Sequence, residues 1–306
     1  MRRRGTWPLI TVLVLGFAFL YIPILILMVF SFNESRLVTV WAGFSTKWYG
    51  ELLDDHQIIS AAWMSLKIAA LTATAAVGLG TLAGQVMARF HRFKGKTMFA
   101  GMITAPLVMP EVITGLSLLL LFVAMQDMIG WPEGRSMLTI WIAHTTFCTA
   151  YVAVVVRSRL VDMDDSVEEA AMDLGAHPAK VFFLVTLPII APALVSGWLL
   201  AFTLSLDDLV IASFVAGPGS TTLPMVVFSS VRLGVSPKIN ALATIIILVA
   251  ILVTLFAGWF MLRVERQRRR DMQEALVESI DLEDAPPPRP VRRSQRPEGA
   301  ADPPPA

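Results

Sequence analysis

The stretch Glu169–Gly175, which reads EAAMDLG and is followed by Leu187-Pro188, carries the most information in this chain of 306 residues. It is polar and charged, although long apolar runs stand on both sides of it. Arg157 and Arg159 come just before it, and basic residues beside a span indicate the cytoplasmic side of a membrane. An amphipathic segment on that face is expected to contact a soluble partner.

Local signals predict two short helices joined by a turn around this stretch. Ser166 followed three residues later by Glu169 has the pattern of a capping box, which marks a helix start. Gly175 is expected to end this helix or to permit a close backbone approach. His177-Pro178 then redirects the chain, and a second helix over residues 179–184 leads back to the membrane.

Composition places the rest of the chain in a membrane. Hydrophobic residues make up 55% of the chain and charged residues only 16%, against about 25% charged in a typical soluble domain. The mean hydropathy is +0.65. The chain has neither a phosphate-binding GxxxxGK[ST] loop nor a cluster of metal ligands. We therefore predict an all-α, polytopic membrane helix bundle without a catalytic, ATP-binding or metal site.

Six runs reach the length of about 20 apolar residues that a helix needs to cross a bilayer. The six predicted transmembrane helices cover residues 7–30, 63–87, 98–124, 138–156, 189–215 and 241–262. With the N-terminus inside, the inner connections up to Arg270 hold fifteen Lys and Arg, against five in the outer connections (Arg36, Lys47, Arg135, Arg232 and Lys238). This bias predicts that both termini are cytoplasmic.

Two regions are predicted along the chain. Residues 1–270 form the transmembrane domain, which contains a coupling loop at residues 157–190. Residues 271–306 include two triple-proline runs among charged residues and cannot bury a core. That composition predicts a disordered, proline-rich cytoplasmic tail.

Three carboxylates inside the predicted spans, Glu111, Asp207 and Asp208, are candidates for a substrate pathway. Ionisable residues within a bilayer are costly and point to function. Pro106 and Pro110 precede Glu111 four positions apart, so both are predicted to release backbone carbonyls on one face of the helix. A helix broken in this way within a membrane must face protein or a wet cavity. Counting along the helices places Glu111 and Asp207 at a similar depth in the outer part of the bilayer.

The two aspartates are predicted to have different surroundings, because adjacent helix positions diverge by about 100°. One would face a route for a cation while the other braces a neighbouring helix. A structural hydrogen bond between helices is the alternative for each acid. His144, inside the fourth span, is predicted to be a neutral, hydrogen-bonded residue rather than a proton carrier.

The sequence resembles a known family of transport proteins. Glu169-Ala170-Ala171, Gly175 and Leu187-Pro188 have the spacing of the EAA signature of bacterial ABC-importer permeases, with Val185 where the family has Ile. The stretches at residues 37–41, 48–52, 105–115 and 204–218 resemble polyamine importer permeases of the putrescine type. The resemblance runs from the first span to Arg270.

The resemblance implies a type I importer fold and a permease that is not itself an enzyme. Its implied partners are a paralogous permease subunit, two ATP-binding cassette ATPase subunits, a periplasmic polyamine-binding protein and membrane lipid, with no nucleic acid. ATP and Mg²⁺ would be bound by the ATPase, and the cargo would be putrescine or a relative. Glu169, Ala170, Ala171, Gly175, Leu187 and Pro188 would couple the ATPase to transport in the bacterial inner membrane.

Other functions remain open from the residues. An ATP-independent secondary transporter or channel for an organic cation would explain the broken helix, but it would not explain a function for the EAA segment. A membrane scaffold would leave the acids unexplained. Permeases for ferric ion, thiamine or sulfate share the EAA segment, although anions suit three carboxylates poorly. Copurification with an ATPase separates the first of these alternatives from an ABC permease.

Overall fold

The computed structural model of the chain describes residues 6–37, 40–90, 92–234, 236–252, 255, 259 and 263. The described residues are helical apart from connecting turns and one isolated antiparallel bridge between Asn33 and Phe44. In chain order the helices are α1 (Thr6–Phe30), α2 (Lys47–Leu53), α3 (His56–Arg89), α4 (Lys96–Val108), α5 (Glu111–Ile129), α6 (Met137–Val161), α7 (Ser166–Asp173), α8 (Pro178–Val181), a π-helix (Phe182–Thr186), α9 (Leu187–Asp207), α10 (Val210–Val215), α11 (Leu223–Leu233) and α12 (Pro237–Leu252).

Five of the described helices are long and apolar enough to cross a membrane: α1, α3, α5, α6 and the continuous run Pro178–Asp207. The predicted all-helical membrane bundle is confirmed. The sixth predicted span, at residues 241–262, begins within α12, and most of its second half lies outside the described residues. The structure therefore supports five spans directly.

Two predicted spans are divided in the structure. The span predicted at residues 98–124 is interrupted between α4 and α5, where Met109 is extended at φ −73° and ψ 136°. Pro110 imposes that conformation on the residue before it, whereas Pro106 lies within α4 and does not interrupt it. The span predicted at residues 189–215 is also wrong in its outer part, because α9 ends at Asp207 and α10 starts again at Val210.

Small residues bring α3, α6 and α9 into close contact at the centre of the bundle. A Cβ atom on Gly80 of α3 would lie 2.7 Å from Cβ of Val152 on α6, and one on Gly84 would lie 3.1 Å from the carbonyl oxygen of Ala153. From the other side, a Cβ on Gly197 of α9 would lie 3.3 Å from Val152. In a membrane the hydrophobic effect does not drive helices together, so their association depends on close packing. Small residues permit it because they let the helix backbones approach each other.

The first helix is packed differently. None of the side chains described in α1 is buried, although the helix is strongly apolar. Exposed apolar surface of this extent is covered in a membrane by lipid or by another subunit.

The contacts divide the chain into two units, Met1–Thr244 and Ile245–Ala306. The boundary that the sequence predicts at residues 270 and 271, and the proline-rich tail beyond it, lie outside the described residues. Both stay predictions.

Candidate functional site

The first short helix of the coupling loop, α7, starts at Ser166, but the predicted capping box is wrong. Asp165 occupies the N-cap position, and the side chain of Asp164 accepts a hydrogen bond of 2.9 Å from the backbone N–H of Ser166. That hydrogen bond lowers the pKa of the Asp164 carboxyl below its ordinary value. In a capping box the side chain of Glu169 would accept the hydrogen bond from this N–H. Because Asp164 accepts it instead, the box does not form, and Ser166 is the first residue of the helix rather than its N-cap.

Gly175 ends α7 as predicted. Its φ is +85°, a conformation that other residues avoid. Its N–H donates to the carbonyl of Met172 at 2.8 Å, and the N–H of Ala176 donates to the carbonyl of Ala171 at 3.2 Å. This pair of hydrogen bonds is a Schellman motif, which closes a helix at its C-terminus. A Cβ on Gly175 would meet no atom of the described chain within 4 Å, so the backbone conformation explains this glycine.

The second predicted helix is the beginning of a membrane span. Its N-cap is His177, whose Nδ1 accepts a hydrogen bond of 3.3 Å from the N–H of Ala179. From Pro178 the chain continues through the π-helix into α9, in which Leu187 and Pro188 are the first two residues. The turn between α7 and α8 thus connects directly to a helix that crosses the membrane.

We call residues 166–188 the coupling elbow. The side chains of Glu169 and Ala170 and the backbone at Gly175 are exposed on it, whereas Ala171 and Leu187 are half-buried. Exposed apolar residues flank them, and Leu174 is 90% exposed. The elbow therefore presents exposed apolar side chains, those of Val167, Met172 and Leu174, next to small and acidic ones. Clustered apolar residues at a surface mark a candidate contact with protein or membrane.

One elbow residue that the sequence analysis did not select faces inward. The Glu168 side chain is only 13% exposed and lies 2.9 Å from Nε of Arg89, at the end of α3. Thr186 Oγ1 donates a hydrogen bond to the other oxygen of the same carboxylate. Glu168 thus contacts two membrane-spanning helices, whereas its neighbour Glu169 contacts solvent.

The second candidate site is where the three predicted pathway acids meet. Glu111 is the first residue of α5, Asp207 is the last residue of α9, and Asp208 lies in the break before α10. The Glu111 carboxylate is close enough to both aspartates to interact with them electrostatically. Each acid therefore lies at an interruption of a helix, a common position for ion and substrate sites in transporters.

Close packing holds the two interruptions together. A Cβ on Gly115, one turn after Glu111, would lie 2.8 Å from the ring of Phe214 and 3.2 Å from Cα of Ile211. This glycine lets α5 lie directly against α10. The structure thus brings the acids together through a glycine that the sequence analysis did not single out.

The two aspartates have different surroundings, as predicted, but the cause is the break in the helix rather than the angle between adjacent helical positions, because Asp208 is extended after the end of α9. Asp207 is exposed, whereas Asp208 is buried and accepts a hydrogen bond of 2.8 Å from the N–H of Ala212. The same oxygen of Asp208 lies 3.3 Å from Nε2 of His144. His144 is 1% exposed, and its Nδ1 is 2.8 Å from Oγ of Ser205. Asp208 therefore braces the break, and Glu111 and Asp207 are the acids with exposed side chains.

Comparison with known proteins agrees with these features. A family model described as binding-protein-dependent transport system inner membrane component matches residues 76–270. The putrescine transport system permease protein PotI of Escherichia coli K12 is 66% identical over 272 residues, which are 89% of this chain and 96% of that protein. The spermidine/putrescine transport system permease protein PotC of Haemophilus influenzae is 42% identical over 235 residues, or 77% and 89% of the two chains.

Known structures share the fold. A bacterial ABC transporter involved in the import of the acidic polysaccharide alginate superposes with a TM-score of 0.64 at 18% identity, covering 85% of this chain and 99% of that chain. The inward-facing MetNI methionine ABC transporter gives a TM-score of 0.55 at 15% identity, covering 68% and 95%. At these identities the similarity concerns the arrangement of the helices.

Proposed function

This chain belongs to the family of binding-protein-dependent transport system inner membrane components, and from that premise we propose that it passes putrescine or a related polyamine through an ATP-driven importer. It is a multi-pass membrane protein and a non-enzymatic transport subunit. Family membership sets aside the scaffold and the ATP-independent transporter that the residues alone left open.

The chemistry of the acidic cluster supports a cationic cargo. Polyamines carry several ammonium groups at neutral pH, because the pKa of an alkylamine is about 10. Glu111 and Asp207 offer two exposed carboxylates close to each other at two helix interruptions. Two acids match the two charges of a diamine, whereas an anionic cargo would be repelled. The observation that carries the proposal is this meeting of the acids in a chain so similar to a putrescine permease.

The exposed coupling elbow supports an ATPase partner. In this proposal Glu169, Ala170, Ala171 and Gly175 dock into a groove of the ATPase, and the small alanine side chains permit a close fit. Leu187 and Pro188 start the span that the elbow moves. ATP and Mg²⁺ bind to the ATPase subunits and not to this chain.

The proposed complex contains this subunit, a paralogous permease, two ATPase subunits and a periplasmic polyamine-binding protein. Both termini and the elbow lie in the cytoplasm, as the distribution of Lys and Arg predicts. The outer connections then face the binding protein, and the exposed apolar surface of α1 faces lipid or the second permease.

Uptake into proteoliposomes that contain the complete complex tests the proposal. Labelled putrescine should accumulate only with ATP, the ATPase and the binding protein, and spermidine should be compared as a competitor. Accumulation without the ATPase would contradict the proposed energy source. ATP-driven uptake of another solute, together with no measurable uptake of putrescine or spermidine, would contradict the proposed cargo.

A further inference from the structure

The inward-facing side of the coupling elbow contains a charge cluster that joins it to two spans. Arg89 is the last residue of the 34-residue helix α3, and its side chain is only 14% exposed. It forms ion pairs with Asp165, at the N-cap of α7, and with Glu168, one turn into α7. The end of α3 is therefore fixed to the start of the elbow.

Glu168 extends the connection to a third element. One carboxylate oxygen lies 2.9 Å from Nε of Arg89, and the other accepts the hydrogen bond from Thr186. Thr186 is 1% exposed and is the last residue of the π-helix, directly before α9. Short π-helical segments are rare and occur frequently at functional sites.

The burial of these groups determines which contact matters most. Asp165 has a side chain that is 55% exposed, and an exposed ion pair contributes little because water screens it. Glu168 is largely buried and has a partner on each oxygen. Removing one partner of such a group leaves a charge that is poorly solvated, which is strongly unfavourable. The contacts of Glu168 should therefore hold the elbow.

Glu169, the neighbour of Glu168, points in another direction, and this difference suggests a role for the contacts of Glu168. Glu169 is exposed, and it lies about 100° around α7 from Glu168. One side of α7 is thus available to a partner while another side is fixed to α3 and α9. Both of these helices pack against Val152 of α6 through Gly80 and Gly197, so a displacement at their inner ends is passed to packed helices.

We propose that Glu168, held by Arg89 and Thr186, is a positioning residue that makes α7 move as one body with the inner ends of α3 and α9. A movement of the ATPase against the elbow would then shift two spans together instead of bending a loose loop. This inference rests on the proposed function, because it assumes that an ATPase binds the exposed side of α7.

Hydrogen exchange of the purified full-length chain tests the contact without any partner. In Glu168→Gln and in Arg89→Gln the backbone amides of α7 should exchange at least about tenfold faster than in the wild type, because the free energy of local unfolding of α7 is lower. Arg92→Gln, an exposed arginine just beyond α3, is the control and should leave these rates unchanged. Equal protection of α7 in wild type and both variants would overturn the proposed contact.

The complete complex tests the consequence for transport. Arg89→Gln and Glu168→Gln should keep the ATPase bound and hydrolysing, while the amount of putrescine taken up per ATP falls at least about fivefold. The exchange of charges, Arg89→Glu with Glu168→Arg, should restore part of this ratio, because the pair forms again with reversed signs. An unchanged ratio in the single variants would overturn the inference. Loss of ATP-driven uptake in the wild type would instead refute the proposed function.

Discussion

Nε2 of His144 lies 3.3 Å from Oδ1 of Asp208, and both side chains are buried in the bundle. The same Asp208 oxygen accepts the N–H of Ala212 in α10, while the other ring nitrogen of His144 contacts Ser205 in α9. His144 on α6 thus contacts residues on both sides of the end of α9. Asp208 is occupied by these contacts, and Asp207 is left exposed beside Glu111.

Removal of the His144 ring should disturb the neighbouring acids without touching the cargo directly. In His144→Ala the hydrogen bond with Ser205 and the contact with Asp208 are both lost, so we expect a loss of stability of about 2 kcal/mol. Asp207 would also be held less firmly, and the KM for putrescine should rise more than kcat falls. Thr146→Ala, at an exposed position of the same helix, is the control. A His144→Ala complex with wild-type KM and thermal stability would show that His144 does not position the break.

The two exposed acids should contribute directly to transport of a polyamine. Glu111→Gln and Asp207→Asn each remove one charged partner of an ammonium group, and we expect the KM for putrescine to rise about tenfold in each. The double variant should abolish measurable uptake while the complex still assembles. Asp127→Asn, at an exposed position near the end of α5, provides the matched control. Uptake that survives in the double variant would contradict the pathway.

The glycine contact between α3 and α6 should be sensitive to a single methyl group. Gly80→Ala places a Cβ 2.7 Å from Cβ of Val152, and overpacking of this kind costs about 1–3 kcal/mol. Gly78→Ala, two positions away, places its Cβ where no atom lies within 4 Å and should be neutral or slightly stabilising. Thermal unfolding in detergent compares the two variants, and equal midpoints would contradict the packing described for α3.

The contribution to stability of Asp55, the N-cap residue of α3, should depend on pH. Asp55 accepts hydrogen bonds of 3.2 Å from the N–H groups of Gln57 and Ile58 and lies 3.4 Å from Nζ of Lys238. Burial acts to raise the pKa of Asp55, but these hydrogen bonds and the Lys238 charge outweigh it and hold the pKa below its ordinary value of 3.8.

A lowered pKa in the folded state stabilises the protein above the unfolded value, and this contribution is lost as the pH falls through the folded value. The contribution of Asp55 should therefore be complete above pH 3.8 and disappear below it. Unfolding midpoints of the wild type and Asp55→Asn, measured from pH 6 downwards, should converge in that range. Curves that stay parallel would exclude Asp55 as the group responsible.

Much of the elbow could be predicted because its determinants are local. The positive φ at Gly175 and the turn at His177-Pro178 depend on neighbouring residues, and both follow from known preferences for helix ends. The capping box failed because a third residue, Asp164, competed for the same backbone donor. The interruption before Glu111 could be predicted from Pro110. The break at Asp208 could not, because no proline lies next to it.

The contacts that organise both candidate sites connect residues far apart in the chain. Arg89 and Glu168, or His144 and Asp208, lie on different helices, and a single sequence does not reveal which faces meet. One signal was available for the packing around them. Gly80 and Gly84 are four positions apart on an apolar helix, a pattern typical of close helix contacts in membranes. It predicts the approach of α3 to another helix but not the identity of that helix.

The most direct measurement of the central claim is whether the exposed side of the elbow binds the ATPase. The purified complex should be compared with one that carries Glu169→Lys and Gly175→Val, which reverse one exposed charge and disfavour the positive φ that ends α7. Asp54→Lys, an equal charge reversal at an exposed residue between α2 and α3, is the control. We expect the double variant to lose both copurification of the ATPase and ATP-driven putrescine uptake, while the control keeps both. A double variant that retained the ATPase and transported putrescine at the wild-type rate would contradict the account.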